Sequence, residues 1–342
     1  MNSVGRPWGE RVVRVVGTDP GTSSLDLLLL ADGAVVGQER LSPGTLQRDP
    51  EALVSLLRAW LPIDLIAGPS GYGLPLVRGE ALTERHLEEM SLVRPDQRGI
   101  DAGVLGFRSW VRALATSGLP VLFLPGGVHL PSIPAYRKAN TIDLGTADKV
   151  AVTALALQAD AADRGADFSE STFAVVELGS AFSAVMIVSR GRLVDAAAGT
   201  RGPIGVRSGG CWDGEVAYWR SPLSKESLFR GGLIDLGPEG PDAFRESLTK
   251  HVAGLKAVTP FDRIYLSGAL AERPDLAALA RAALEPLGTL IPLRSLSGAW
   301  VKHAAQGAAL LADGLAGGHH AGLVASLELA NASGTVWDGL RG

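Results

Sequence analysis

The sequence predicts an α/β protein in which one fold occurs twice along the chain. Residues 12–40 contain three short apolar runs separated by two tight turns, a pattern typical of a three-strand antiparallel meander. Residues 173–198 repeat that pattern after a polar stretch at 163–167. Each meander is followed by segments that alternate between helical and strand spacing. A repeated unit of this kind indicates an internal duplication, with the two halves meeting near that polar stretch.

The spacing of apolar residues predicts the individual elements. In the first half it predicts strands at 12–16, 25–30, 34–40, 63–67 and 120–124, and helices at 50–61, 100–117 and 146–162. In the second half it predicts strands at 173–178, 184–189, 193–198, 264–266 and near residue 290, and helices at 241–257, 274–284 and 301–315.

Composition and charge exclude several classes of protein. A chain of 342 residues that is 46% hydrophobic can fill two cores. Its 32 basic and 36 acidic residues give a net charge of −4, which leaves no excess positive potential for nucleic acid. The single cysteine, Cys211, cannot form an internal disulfide, and no apolar run reaches the roughly 18 residues that span a bilayer. We therefore expect a cytoplasmic protein that binds neither nucleic acid nor a membrane.

The turn after the first predicted strand has the composition of a phosphate site. Its glycines allow a ligand to approach the backbone, and its hydroxyl and amide groups can donate to phosphate oxygens. These residues are Gly17, Gly21, Thr22, Ser23 and Ser24. Asp19, in the same turn, can hold a magnesium ion through water. Taken alone, the segment could equally be an ordinary polar hairpin turn.

The turn after the strand at 173–178 repeats this chemistry. Glu177 stands near the end of its strand as Asp19 does in the first half. Small and hydroxyl residues follow at Gly179, Ser180 and Ser183. Two such turns facing one another would clamp a polyphosphate across a cleft, with one carboxylate on each side of the metal–nucleotide complex.

Three segments are similar to the two phosphate motifs and the adenosine motif of the actin-like ATPase superfamily, which includes sugar kinases, acetate kinase, heat-shock chaperones and actin. They are Val16-Gly17-Thr18-Asp19-Pro20-Gly21-Thr22-Ser23-Ser24, Val176-Glu177-Leu178-Gly179-Ser180-Ala181-Phe182-Ser183 and Tyr265-Leu266-Ser267-Gly268-Ala269-Leu270. Within the superfamily the chain resembles a prokaryotic family labelled predicted butyrate kinases, through residues 146–149, 202–205 and 212–215. The resemblance implies two ribonuclease H-like domains with mixed sheets, at 10–165 and 168–330, that form a clamshell.

The same resemblance implies that ATP and Mg²⁺ bind in the cleft. The implied ATP-binding residues are Gly17, Thr18, Gly21, Thr22, Ser23, Ser24, Gly179, Ser180, Ser183, Gly268 and Ala269, and the implied metal-binding residues are Asp19 and Glu177. Gly268 and Ala269 would lie against adenine or ribose, where nothing larger fits. The sequence departs from the family at Glu177, where many relatives have Asp, and at Ser180, which replaces a Gly. These departures predict that the second turn binds phosphate less tightly or suits another metal geometry.

Asp148 and Lys149 begin the predicted helix at 146–162. An acidic residue is favoured at the positive end of a helix, so Asp148 could be a simple cap. The alternative is a base or a holder of metal-bound water that helps an acceptor oxygen attack the γ-phosphate, the role that an aspartate has in many sugar kinases of the superfamily.

Two further segments are predicted to contact the acceptor. Residues 199–215 are too rich in glycine for a core element and too rich in charge for a passive linker, which indicates a substrate loop over the cleft. Within it, Arg201 or Arg207 could pair with a carboxylate or phosphate, and Asp213 and Glu215 are candidates for polar recognition. Ser70 and Tyr72 follow the strand at 63–67, at the strand end where open α/β sheets usually bind ligands. The loop arginines and this turn could equally be ordinary solvated surface.

These features predict an ATP-dependent kinase for a small acidic metabolite, most simply a carboxylate, with Asp148, Asp19 and Arg207 as its catalytic residues. The alternative is a nucleotide-switched ATPase or binding protein of the actin or chaperone type. A chain of 342 residues leaves little room for a peptide-binding domain beside the duplicated core, which favours the enzyme. The expected partner is a small-molecule acceptor, and the choice between a monomer and a homodimer stays open.

Overall fold

The computed structural model describes residues 11–21, 23–49, 51–94 and 106–341, and its named strands form two mixed sheets. The first sheet contains β1 (Arg14–Pro20), β2 (Leu25–Ala31), β3 (Ala34–Leu41), β4 (Leu65–Gly68), β5 (Val77–Arg78) and β6 (Val121–Phe123). The second sheet contains β7 (Phe173–Leu178), β8 (Ser183–Ser189), β9 (Arg192–Ala197), β10 (Arg263–Ser267) and β11 (Thr289–Pro292).

The two sheets share one topology, which confirms the predicted duplication. The strand order is β3-β2-β1-β4-β6 in the first sheet and β9-β8-β7-β10-β11 in the second. In each, an antiparallel meander is extended by two parallel strands. β5 adds an antiparallel strand at the edge of the first sheet, next to β6. The arrangement is that of two ribonuclease H-like units.

The α-helices cover the strand faces. They are α1 (Pro43–Arg48), α2 (Glu51–Ala59), α3 (Glu84–Ser91), α4 (Phe107–Thr116), α5 (Ala135–Lys138), α6 (Ala147–Arg164), α7 (Gly214–Trp219), α8 (Gly240–Val258), α9 (Pro274–Leu284), α10 (His303–Leu315) and α11 (Ala321–Ser326). The helix expected at 100–117 begins at Phe107, and residues 100–105 lie outside the described ranges. The sequence spacing did not predict β5 or the short helices α1, α3, α5, α7 and α11. Elements of so few residues are too short to show a clear periodicity. Among the described helices, none combines the length and apolar character that would let it cross a membrane.

Alternating side chains of the strands fill separate cores. Val16 and Leu27 point to the outer face of the first sheet, where they pack with α2, α3 and α4. Val15 and Leu28 point to the opposite face, into a core that contains α6 and α10 and also reaches the second sheet. The outer face of the second sheet packs against α8 and α9. The protein is therefore layered as helix, sheet, helix pair, sheet and helix.

The two central helices each pack on the sheet of the other half of the chain. The helix α10 comes from the second half but contacts β1, where a Cβ on Gly17 would lie 2.1 Å from the Ala309 backbone nitrogen. The helix α6 comes from the first half but contacts β7 and β8. Its buried Asp160 accepts hydrogen bonds from Arg263 Nε at 2.7 Å and from the Tyr265 hydroxyl at 2.9 Å, both on β10. These two helices join the halves.

Gly307→Ala is expected to destabilise the protein, because α6 and α10 touch at this residue. A Cβ there would lie 1.8 Å from the Ala151 carbonyl oxygen, so the backbones would have to separate. Overpacking of this kind costs about 1–3 kcal/mol, or more where backbone must move. The matched control is Gly254→Ala in α8, where a Cβ meets nothing within 4 Å and should stabilise by about 0.5–1 kcal/mol. Urea unfolding of both variants tests the contact, and equal stabilities would contradict it.

Candidate active site

Residues from both halves of the chain line one cavity of about 600 Å³. The end of β1 contributes Asp19 to its wall, and the turn between β1 and β2 contributes Gly21 and Ser23. The turn between β7 and β8 contributes Gly179 and Ser180. The two turns therefore face a common space, and their contact with phosphate stays a prediction.

Asp19 lies near the end of β1 and is buried. Burial raises the pKa of its carboxyl to about 6, although Lys302 opposes the shift, and the negative charge of Asp148 adds to it. The Lys302 Nζ atom lies 3.6 Å from Asp19 Oδ2. A cavity carboxylate whose ionised form is disfavoured by burial is typical of a site that binds a cation or stabilises charge on a transferred group.

Lys302 precedes α10 and was not recognised from the sequence. Its side chain lies over Gly21, where a Cβ would come within 2.4 Å of Nζ, and it donates to the Ser24 carbonyl oxygen at 3.2 Å. Its backbone nitrogen donates to Asp26 Oδ2 at 3.0 Å. The buried Asp26 also accepts from Arg40 Nη2 at 2.6 Å. This network of hydrogen bonds anchors the first turn to α10.

The opposite wall contains an acidic pair joined by Lys149. Its Nζ atom lies 2.5 Å from Asp148 Oδ2 and 3.1 Å from Glu177 Oε2. Burial raises the pKa of Asp148, but Lys149 and the hydroxyl of Thr146 outweigh it and leave that pKa below the usual range. Burial raises the pKa of Glu177. Asp148 is therefore ionised and tied to its neighbours, which makes it a weak proton acceptor.

The carboxylates of the cavity could hold a magnesium ion whose other ligands would be water and phosphate oxygens. Glu177 Oε2 is buried and accepts no hydrogen bond from the described residues, although Lys149 Nζ lies 3.1 Å away as its ion-pair partner. In the described ranges no three acidic, histidine or cysteine side chains are close enough to ligate one ion directly. Magnesium commonly uses only one or two carboxylates together with waters and substrate phosphates. Asp19 and Glu177 match that requirement.

A third part of the wall combines the predicted Tyr72 with two residues that were not recognised from the sequence, Asp143 and Lys225. Asp143 precedes α6, accepts a hydrogen bond from the Gly145 nitrogen at 3.0 Å, and has its pKa raised to about 6 by burial. Tyr72 from the first half and Lys225 from the second half line the cavity near it. No sequence motif marks Asp143 or Lys225, because only the folded chain brings them to the cavity.

The far end of the cavity lies against α3 and α4. There Glu84 accepts hydrogen bonds from Arg112 at 2.8 and 2.9 Å and from Arg108 at 3.0 Å. Met90 and Phe107 supply apolar surface beside this charged group. The wall beside α3 and α4 thus carries ion pairs formed within the first half.

Several predicted ATP-binding residues occupy structural positions instead of the cavity wall. Gly17 allows α10 to approach β1, and Thr18 Oγ1 donates to the Ala67 carbonyl oxygen at 2.8 Å. Ser24 Oγ donates to Asp26 Oδ1 at 2.6 Å. Ser183 is buried at the start of β8. Gly268 has a φ of 99° and lies against Leu178, whereas its neighbour Ala269 does line the cavity.

Of the predicted acceptor contacts, the structure places Tyr72 at the cavity and Ser70 behind it. Ser70 Oγ donates to the Gly68 carbonyl oxygen at 2.8 Å and accepts from the Leu124 nitrogen at 2.8 Å, which fixes the strand ends. Thr22, predicted to bind phosphate, lies outside the described residues.

The predicted substrate loop reaches the cavity through other residues than expected. Gly199 and Thr200 line the wall, but the exposed Arg201 and Arg207 do not. Arg207 stacks on the Phe229 ring at 5.4 Å instead. Asp213 caps α7 by accepting from the nitrogen of Glu215 at 2.8 Å, and both are exposed away from the wall. In this conformation the side chains of Asp213 and Glu215 are exposed to solvent and do not line the cavity.

Comparison with known proteins supports the fold. A family model described as "Protein of unknown function (DUF1464)" matches residues 17–341. No curated protein sequence matches the chain. A propionate kinase from Francisella tularensis subsp. tularensis SCHU S4 is 12% identical with a TM-score of 0.58, covering 87% of this chain and 98% of that one.

Two acetate kinases have the same architecture. The enzyme from Porphyromonas gingivalis is 12% identical with a TM-score of 0.53, covering 81% of this chain and 88% of that one. The enzyme from Entamoeba histolytica is 12% identical with a TM-score of 0.52, covering 80% of this chain and 86% of that one. At such low identity the likeness shows the fold, which is that of the actin-like ATPase superfamily.

Proposed function

The chain belongs to the DUF1464 family of proteins of unknown function, and from its fold and cavity we propose that it is an ATP-dependent kinase acting on a small carboxylate. The observation that carries the proposal is the convergence of the two glycine- and serine-containing turns on one cavity. That cavity also holds the carboxylates of Asp19 and Glu177 and the ammonium groups of Lys149 and Lys302. A metal–polyphosphate needs this combination of small turns, carboxylates and cations.

Each of these groups has a defined task in the proposed reaction. Asp19 and Glu177 would hold Mg²⁺ through water, and the ion would neutralise charge on the phosphates. Lys302 keeps the first turn against α10 and places a positive charge beside Asp19. Lys149 keeps Asp148 and Glu177 oriented toward the cavity. Groups positioned in advance in this way stabilise developing charge without reorganising.

The acceptor chemistry follows from the state of Asp148. In the transfer, an acceptor oxygen bonds to the γ-phosphorus while the bond to the bridging β-phosphate oxygen breaks, and the electron pair leaves with ADP. A carboxylate acceptor has no proton to lose, so no base is required. The lowered pKa of Asp148, caused by Lys149 and Thr146 against the effect of burial, suits such an acceptor better than a hydroxyl. The role of Asp148 would then be to orient metal-bound water.

A screen for acceptor-dependent ADP release tests the proposal. The panel should include carboxylates, hydroxy acids, sugars and polyols with MgATP, and we expect a carboxylate to stimulate release at least about tenfold over the rate without acceptor. MgATP should also raise the melting temperature, because a ligand that binds only the folded state at one hundred times its Kd stabilises it by about 2.7 kcal/mol. No thermal shift and no heat of binding at millimolar nucleotide would refute nucleotide binding.

The same screen separates the enzyme from a nucleotide-driven switch. A switch would hydrolyse ATP at a rate that no acceptor changes, and small-angle scattering would show different shapes with ATP and with ADP. A kinase should become most compact when nucleotide and acceptor are both bound, because closure keeps water from the transferred phosphate.

A further inference from the structure

Lys225 differs from the other basic residues that line the cavity. Lys149 and Lys302 form ion pairs with carboxylates near the two turns, and Arg108 and Arg112 form ion pairs with Glu84 at the far end. For Lys225, no ion pair occurs with any residue that the structure describes. A cation in a cavity without a counter-ion is suited to an anionic ligand.

The position of Lys225 places its charge between the two halves. Its Nζ atom lies 3.5 Å from the Tyr72 hydroxyl and 5.1 Å from the centre of the Tyr72 ring, so a residue of the second half meets one of the first. Burial lowers the pKa of Lys225, and Asp143 lies close enough for its charge to oppose that shift. A bound anion would offset the same desolvation cost.

Part of the cavity surface near Lys225 is apolar. Leu228 and Phe229, in the same short helical segment as Lys225, line the cavity together with Phe182. The rings of Phe182 and Phe229 meet edge to face with centres 4.9 Å apart. Arg207 stacks on Phe229 and steadies this wall without lining the cavity. A ligand bound here meets the charge of Lys225, with the Asp143 carboxyl nearby, and a hydrocarbon surface.

We propose that Lys225 binds the carboxylate of the acceptor and that Phe182, Leu228 and Phe229 contact its hydrocarbon part. This inference rests on the proposed kinase function and narrows it to monocarboxylates with an apolar body. One carboxylate oxygen pairs with Nζ, which leaves the second free to attack the γ-phosphorus. A second charge or several hydroxyls on the acceptor would be desolvated against the phenylalanine rings without compensation. Lys225 thereby takes the role that the sequence suggested for Arg201 or Arg207.

The test is Lys225→Met, which keeps most of the side-chain volume and removes the charge. Calorimetry should be done with straight-chain carboxylates from acetate to hexanoate in the presence of MgADP. We expect the Kd of the best-bound carboxylate to rise about 10–100-fold, as for loss of a charged hydrogen bond, while the Kd of MgADP changes less than about twofold. In turnover assays KM should rise with little change in kcat, because Lys225 would hold the carboxylate equally well in the bound ground state and in the transition state. The control is Lys250→Met on the exposed face of α8. It should change neither the Kd of the carboxylate nor its KM.

The possible outcomes separate this inference from the proposed function. If carboxylates bind and Lys225→Met weakens them, but no phosphate is transferred, the inference stands and the kinase proposal fails. If the enzyme transfers phosphate to a carboxylate and Lys225→Met leaves KM unchanged, the kinase proposal stands and the inference fails. Absence of binding by every carboxylate overturns the inference. An unchanged MgADP Kd shows that the variant is folded.

Discussion

Asp19→Asn is expected to lower kcat by at least about a hundredfold while the protein stays folded, because a preorganised charge at a transferring phosphate is worth that much or more. Asparagine has the same shape but cannot offer a full negative charge to a metal ion. The variant should be no less stable than the parent. Since folding raises the pKa of Asp19 to about 6, chiefly through burial, its ionised form opposes folding at any pH above the ordinary value for the unfolded chain.

The measurement pairs kcat in the acceptor screen with urea unfolding at neutral pH. The control is Asp275→Asn on α9, where an exposed aspartate that pairs with Arg273 is lost at a distance from the cavity wall. It removes the same formal charge and should leave kcat within about twofold of the parent, as surface charge changes usually do. A folded Asp19→Asn protein with near-normal turnover would rule out a role for Asp19 at the phosphates.

Lys149→Met is expected to lower both stability and activity. It leaves Asp148 and Glu177 facing each other without the ammonium group that lies 2.5 and 3.1 Å from them. Breaking a buried ion pair by removing one partner costs about 3–5 kcal/mol, and the lower end applies here because these side chains keep some contact with solvent. Turnover should fall at least about a hundredfold, since the orientation of both carboxylates is lost.

The pH dependence of that loss gives a second check. Without Lys149, we expect the pKa values of Asp148 and Glu177 in the folded state to rise, because burial and mutual repulsion are then opposed only by lesser contributions such as the Thr146 hydroxyl and the charge of Lys302. The destabilisation is therefore full at neutral pH and diminishes as pH falls through the raised pKa values. Urea unfolding across mildly acidic pH should show the variant approaching the parent. If the difference in free energy of unfolding between Lys149→Met and the parent stays constant with pH, Lys149 acts through packing alone. Adding Glu177→Gln to Lys149→Met should recover part of the lost stability.

The fold could be predicted from the sequence because its signals are local and occur twice. Alternating apolar residues and glycine turns predict the two meanders, and the apolar spacing of 301–315 predicts α10 to within two residues at its start. The repeated order of elements then identifies the architecture without any knowledge of contacts between distant residues.

The candidate site could be predicted only where its residues belong to those local turns. Gly21 and Gly179 lie in hairpin turns and Asp19 in the strand that leads into the first of them, and these segments carry their own sequence pattern and line the cavity. Lys302 and Lys225 come from segments with no sequence pattern of their own. They reach the cavity only through the tertiary packing of α10 and of the segment between β9 and α8. The placement of Arg207 depended on the path of a glycine-rich loop, which local sequence does not determine.

The exchange of helices between the two halves has a consequence for how the chain can be divided. A cut at the turn after α6, the place that sequence alone marks as a border, would leave the first sheet without α10 and the second without α6. Each fragment would then lose the helix that covers its inner sheet face in the intact chain. Although the sheets are built from separate halves of the chain, the apolar faces between them are buried in this structure only by the two halves together.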